Sequence, residues 1–155
     1  MTDLIPPTLT HVLHLEVDVA AAIEIGATPN GVRRIVPILG GRVSGPLMTG
    51  IVLPGGSDVQ QVRSSTETAV LARYVLESDR GEFVMIENRG VRTGSESDIA
   101  RLRADEPVDP ANIYFRSTPV FETEATRLSC LNNRVHVGVG ARRKGLVIFD
   151  IFEVQ

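Results

Sequence analysis

Gly26 to Asp58 reads GATPNGVRRIVPILGGRVSGPLMTGIVLPGGSD, and it holds eight of the chain's fourteen glycines and four of its nine prolines. Glycine tolerates positive φ and close backbone approach, whereas proline removes a ladder donor. Punctuation of this kind around short β-branched runs predicts tightly turned strands with bulges. Thr28-Pro29-Asn30-Gly31 is a turn signal, and Val32 to Leu39 is a strand that Pro37 sends to an edge or a bulge. Gly40-Gly41 turns the chain, Leu47 to Leu53 is the next strand, and Gly55-Gly56-Ser57-Asp58 ends the stretch on a lone carboxylate.

Outward from this stretch the period-two pattern continues. Thr10 to Val19 alternates Leu13, Leu15, Val17 and Val19 against His14, Glu16 and Asp18. Asp58 to Thr68 is polar and reads as a loop. Ala69 to Glu77 and Glu82 to Arg89 form a hairpin across Ser78-Asp79-Arg80-Gly81. Ser95 caps a short helix to Ala104. Strands follow from Tyr114 to near Pro119, Arg134 to Gly140, and Leu146 to Val154, with Arg142-Arg143-Lys144-Gly145 as a solvated turn. The expected fold is all-β: an antiparallel, closed or nearly closed barrel with at most one or two short helices, residues 1–155 forming a single domain.

Composition narrows the partners. A net charge of −3 gives no electrostatic reason to expect nucleic acid or an anionic membrane. No apolar run approaches the roughly 20 residues of a spanning helix. A secretory leader is not expected, the single Cys130 has no internal disulfide partner, and the cytoplasm is the expected compartment. P-loop, dinucleotide and Gly-x-Ser-x-Gly patterns are absent. His11 and His14, three apart on a strand, are expected on opposite faces, so no metal site is expected.

Polar residues that interrupt apolar faces are the candidates for chemistry. Arg73 shares a strand parity with Leu71 and Val75, and Asn88 with Val84 and Ile86. A charge among inward residues must be paired or must face a cavity; for Arg73 the pairing option is Asp58 or Glu122. Asp58 follows a two-glycine bend that can aim it into a barrel mouth, or it closes an Asx-turn. Arg33 and Arg34 alternate, so at most one points inward. Tyr114 and Arg116 share a face on which phenol and guanidinium can hold a carbonyl or an anion.

Several blocks resemble a known family. They are Ile25-Gly26-x-Thr28-Pro29-x-Gly31-x-Arg33-Arg34-Ile35, Gly40-Gly41, Gly45-Pro46-x-x-x-Gly50 and Leu53-Pro54-Gly55-Gly56-x-Asp58. Ala72-Arg73-Tyr74, Tyr114-Phe115-Arg116-x-x-Pro119-x-Phe121-Glu122-Thr123 and Leu131-Asn132 continue the series. Together they resemble the domain of unknown function 3237 family of small β-barrel proteins. The resemblance implies an antiparallel barrel with a ligand-sized interior, assembly as a small homo-oligomer, and cofactor-free isomerase, cyclase or lyase chemistry; apolar residues on both faces of the last strand make a dimer the expected form. The family prefers tryptophan where this chain has Val59 and Cys130, a change expected to widen or reshape the pocket.

These readings yield two functions. In the first, an enzyme binds a cyclic or aromatic carbonyl compound. Asp58 and Arg73 are then catalytic, and Arg33, Asn88, Tyr114, Arg116, Glu122 and Asn132 contact substrate; neither metal nor cofactor is needed. In the second, the same barrel is a non-catalytic carrier or sensor of a small anionic or aromatic ligand. A third reading, a structural protein, requires an interior filled by side chains.

Overall fold

In the computed structural model, which describes residues 3–155, ten strands form one continuous antiparallel sheet. The strands are β1 (Leu9–Val19), β2 (Ile23–Thr28), β3 (Gly31–Ser44), β4 (Gly50–Val52), β5 (Ser57–Val62), β6 (Glu67–Ser78), β7 (Phe83–Thr93), β8 (Tyr114–Glu122), β9 (His136–Arg143) and β10 (Leu146–Val154). Helix α1 (Glu96–Arg103) lies between β7 and β8, and α2 (Cys130–Asn133) lies between β8 and β9. The sheet closes because β1 pairs with β10 on one edge and with β3 on the other. Eight positions make the barrel wall, β4 and β5 sharing the position between β3 and β6, while β2 stands outside the circuit.

The stretch that decides the fold supplies the closing strand. β3 is 14 residues long and divides its partners along its length. Its first half pairs with β2 and β5, and its second half with β1 and β4. The change of partners falls between Pro37 and Ile38, and Gly40-Gly41 just beyond it lie inside one long strand and do not form the expected turn. Gly41 has φ of 139°, and a Cβ there would lie 2.1 Å from the Glu16 carbonyl oxygen of β1. Only glycine lets the two strands approach this closely.

Three further local expectations are corrected. Residues 58–68, read as a loop, contain β5, because Asp58 and Gln60 face the barrel interior while Val59 faces out, inverting the usual pattern. The Leu47–Leu53 strand contracts to Gly50–Val52. A register shift between His11 and Leu13 absorbs one residue, so His11 and His14 share the outer face. Both bond Oδ1 of Asp150 on β10, at 2.9 Å each. Burial tends to raise that carboxyl, but the hydrogen bonds from His14 and His11 prevail and hold it below the usual carboxylate range. Among the described residues no three side chains are grouped to hold a metal ion.

Each strand carries its core on alternate residues. At the α2 end the interior is apolar: Leu13, Val43, Leu76, Val84, Ile86, Phe121 and Ile151 are buried, and Leu128 and Leu131 plug the opening from the β8–β9 connection. At the opposite end α1 lies across the barrel, anchored by buried Ile99 and Leu102 and capped by the Ser95 hydroxyl, which accepts from the Asp98 amide at 3.1 Å.

Candidate functional site

The α1 end of the barrel contains a cavity walled by Val17, Val19, Val36, Ile38, Val147 and Phe149 on one side. Asp58, Gln60, Tyr74, Asn88, Arg92 and Arg142 supply its polar wall. Strand register explains the arrangement. Asp58 pairs with Ala72 on β6, and Ala72 with Asn88 on β7, so the two polar residues flank a small side chain in one row. One step toward α1, Arg34 on β3 lies opposite Gln60 on β5, and a step further Arg92 on β7 lies opposite Thr68 on β6. Gly140 on β9 keeps room for Phe115 and Phe149, since a Cβ there would sit 2.7 Å from both rings. Those rings meet edge to face at 5.0 Å, and Arg92 lies 5.5 Å above Phe115.

About 30 Å³ is open to the centre of a water-sized sphere, inside an envelope of about 530 Å³ that merges with solvent at the mouth. A single water needs roughly 10–15 Å³ on this measure. The cavity as it stands has room for about two or three waters, and a larger guest must move side chains or extend into the mouth.

The electrostatics are unusual. Asp58 Oδ2 accepts from Gln60 Nε2 at 2.6 Å, and Oδ1 accepts from the Leu71 amide at 3.0 Å. Burial pushes this carboxyl above its ordinary range, against the opposing pull of those two bonds and of Arg92 and Arg142. Arg92, 2% exposed, is lowered to about 10 by burial and then by the charge of Arg142, with Arg34 and Arg103 adding to the repulsion. It stays cationic at neutral pH. Burial also lowers Arg142, whose Nη2 donates to Asp105 at 3.0 Å. Tyr74 is pushed up by burial and by the Asp58 charge, so it remains a phenol and a donor.

Of the residues singled out in the sequence, Asp58 and Asn88 meet in this cavity. The others lie elsewhere. Arg73, with a side chain 68% exposed, bonds Glu87 across the outer face at 2.7 Å. Its parity with Leu71 and Val75 marks the outside of β6; the inward set is Val70, Ala72, Tyr74 and Leu76. Arg33 lies over an outer groove beside Gln61, Arg63 and Arg89, while its neighbour Arg34 turns in. Tyr114 and Arg116 stack on each other outside β8, the guanidinium 5.0 Å from the ring. Glu122 and Asn132 line an open groove near the α2 end. There Asn132 clamps the Thr123 backbone, accepting from its amide and donating to its carbonyl at 2.8 Å each. Val59 faces outward and Cys130 begins α2, so neither lines the cavity and neither widens it.

Of the alternating pair Arg33 and Arg34 the inward member is Arg34 and not the chosen Arg33, and Gln60, Tyr74, Arg92 and Arg142 are cavity residues that the sequence reading does not single out. Arg92 was within reach: it continues the parity of Val84, Ile86 and Asn88, but the strand was ended at Arg89. Arg142 was assigned to a solvated turn, although it sits inward on β9, two residues beyond Gly140. Its signal was the alternation of His136, Gly138, Gly140 and Arg142, in which the apolar valines face out.

A closed antiparallel barrel with buried arginines and a carboxyl beside apolar walls at one end places the protein among the small β-barrels. The chain belongs to the family described as protein of unknown function DUF3237, which matches residues 7–154. A UPF0311 protein of Rhodopseudomonas palustris strain TIE-1 is 42% identical over 137 residues, covering 88% of each chain. The crystal structure of RPA1785 from Rhodopseudomonas palustris, a conserved protein of unknown function, matches with a TM-score of 0.92 at 36% identity over the whole of both chains. A β-barrel-like protein from Acinetobacter baumannii AYE matches at 0.86 and 35%, again over the whole of both chains. A more distant structure, described as an enzyme from Penicillium herquei, has a TM-score of 0.74 at 14% identity, covering 100% of this chain and 99% of that one; this likeness concerns the fold alone.

Proposed function

We propose that the protein is a small-molecule-binding barrel that transfers protons on a cyclic or aromatic carbonyl compound without a cofactor, as an isomerase, cyclase or lyase. The observation that carries this reading is the meeting, in one largely apolar cavity, of a carboxyl raised by burial with a buried guanidinium that stays charged. A raised carboxyl is a better base once ionised, and a preorganised cation in low dielectric is well suited to a developing oxyanion.

In the step envisaged, the Asp58 carboxylate takes a proton from carbon beside the carbonyl. The C–H electron pair moves into the carbon–carbon bond, and the carbonyl oxygen becomes an enolate facing Arg92, with Tyr74 and Asn88 as neutral donors. Return of the proton from Asp58 to another carbon gives an isomer; loss of a β-leaving group gives a lyase product. Arg92 thus takes the role that the sequence offered to Arg73. The Penicillium herquei barrel described as an enzyme supports only the premise that such a barrel can house one.

The second reading, a carrier or sensor, draws support from the surplus of buried arginine over buried carboxylate. Incubating a metabolite extract with wild type and with Asp58→Asn, followed by mass spectrometry with retention times, separates the two. A compound converted by wild type and only retained by the variant is the expected result. Equal retention without conversion in both would overturn catalysis and leave the carrier.

A further inference from the structure

The proton-transfer reading uses Arg92 and leaves Arg142 and Arg34 without a task. Arg34 is 5% exposed, and the Arg142 side chain 6%. Nε of Arg34 and Arg92, and both Nε and Nη1 of Arg142, are buried with no hydrogen-bond partner. The carboxylates nearby do not answer them. Asp58 attracts Arg92 and Arg142 through its charge, but its two oxygens bond Gln60 and the Leu71 amide and no arginine. Asp105, on the rim after α1, accepts from a single Arg142 nitrogen, and Glu24 approaches Arg34 Nε only to 3.6 Å from an exposed side chain. A buried cation with unfilled donors is costly unless a partner arrives, and these guanidinium groups also repel one another.

We propose that the ligand carries a carboxylate, and that Arg142, with Arg34 beside it, is the subsite that receives it at the α1 end of the cavity. This deepens the proton-transfer reading by naming the substrate class, a carbonyl compound that is also an organic acid, and it rests on that reading only for the carbonyl. The planar guanidinium fork matches a carboxylate through two parallel N–H bonds, which Nη2 makes with either Nε or Nη1; Asp105 takes one bond from Nη2, and its second hydrogen with one of those two open donors completes the pair for the ligand. The adjoining wall, Val17 and Val19 on β1 and Val147 and Phe149 on β10, with Val147 directly across from Arg142, suits an apolar body attached to that group. A free inorganic anion would leave that wall uncovered. Asp105 serves as the resting counter-ion, holding one hydrogen of Nη2 while the remaining donors are left for the ligand.

The test is titration of the protein, labelled with ¹⁵N at arginine, with propionate and benzoate, against propionamide, benzamide and inorganic phosphate, reading the Nε–H resonances. Saturable shifts of Arg142 and Arg34 with at least one carboxylate, absent with both amides and weaker with phosphate, are expected. Loss of the charge-assisted bonds predicts about tenfold weaker binding in Arg142→Gln. Arg142→Lys keeps the charge without the fork and is expected to bind more weakly than wild type; it also serves if the glutamine variant does not fold. Amides binding as tightly as carboxylates, no saturable shift with either carboxylate, or undiminished affinity in both folded variants would overturn the subsite. Asp58→Asn separates the two proposals. Carboxylate binding retained in this variant, with no extract compound converted by wild type, keeps the subsite and removes catalysis. Conversion that depends on Asp58 without carboxylate binding does the reverse.

Discussion

Along β7 the inward side chains run Val84, Ile86, Asn88, Gly90 and Arg92, so one strand passes from an oil-like interior to a charged one. β3 makes the same passage in reverse from Arg34 to Val43, whereas β9 carries a buried histidine, His136, edge-on to Phe121 at the α2 end and Arg142 at the other. At the α2 end, Leu128 and Leu131 close the barrel over packed aliphatic side chains. At the α1 end, the same wall surrounds guanidinium groups with unfilled donors. The difference teaches a division of labour: stability is concentrated where burial is apolar, and the other end accepts electrostatic cost that folding alone does not require.

The largest effect expected from this contrast is at the packed end. Leu76 is fully buried, and Leu76→Ala is expected to lower unfolding free energy by about 2–5 kcal/mol, read from urea denaturation. A loss below about 1 kcal/mol would show that the α2 end is not the stability core.

Arg92→Met at the other end is expected to be neutral or stabilising by about 1 kcal/mol in the absence of ligand, because it removes a desolvated cation while keeping apolar bulk. The same denaturation series checks it. A loss comparable to that of Leu76→Ala would mean that the arginine is structural, and the contrast between the ends would collapse.

The smallest effect is pH-dependent. The Asp58 carboxyl is raised on folding, so the folded state holds its proton more tightly than the unfolded chain does. Its contribution to stability is full below the ordinary carboxylate value and is lost as pH rises through the folded one. The melting temperature of wild type relative to Asp58→Asn is therefore expected to fall from about pH 4 to about pH 7. A difference that instead rises with pH would mean that the surrounding arginines outweigh desolvation.

Legibility in the sequence followed the same boundary. Where inward residues are apolar, alternation located β1, β6, the start of β7 and β10 without difficulty. Ser95 marked α1 because a side-chain cap is a local bond between near neighbours in the chain. Where the inward face turns polar, the pattern misled. Asp58 and Gln60 made β5 resemble a loop, Arg142 resembled a turn residue, and Arg73 was placed inside because both faces of β6 carry aliphatic side chains. Asn88 was found because its polarity interrupts a run already marked as interior by Val84 and Ile86.

The sequence by itself determined that this chain is an antiparallel barrel, through period-two alternation punctuated by glycine and proline, and that Asp58 follows a bend able to aim it inward. These are properties of near neighbours along the backbone, set by φ/ψ preference and side-chain alternation. Tertiary structure alone decided which parity of β6 is the inside and that a bulge at Val12 brings His11 and His14 together on Asp150. It also decided that arginines from β3, β7 and β9 gather at one end of the cavity. Their meeting depends on closure of β1 onto β3, which fixes the register around the whole circuit, and no local stretch of sequence carries that information.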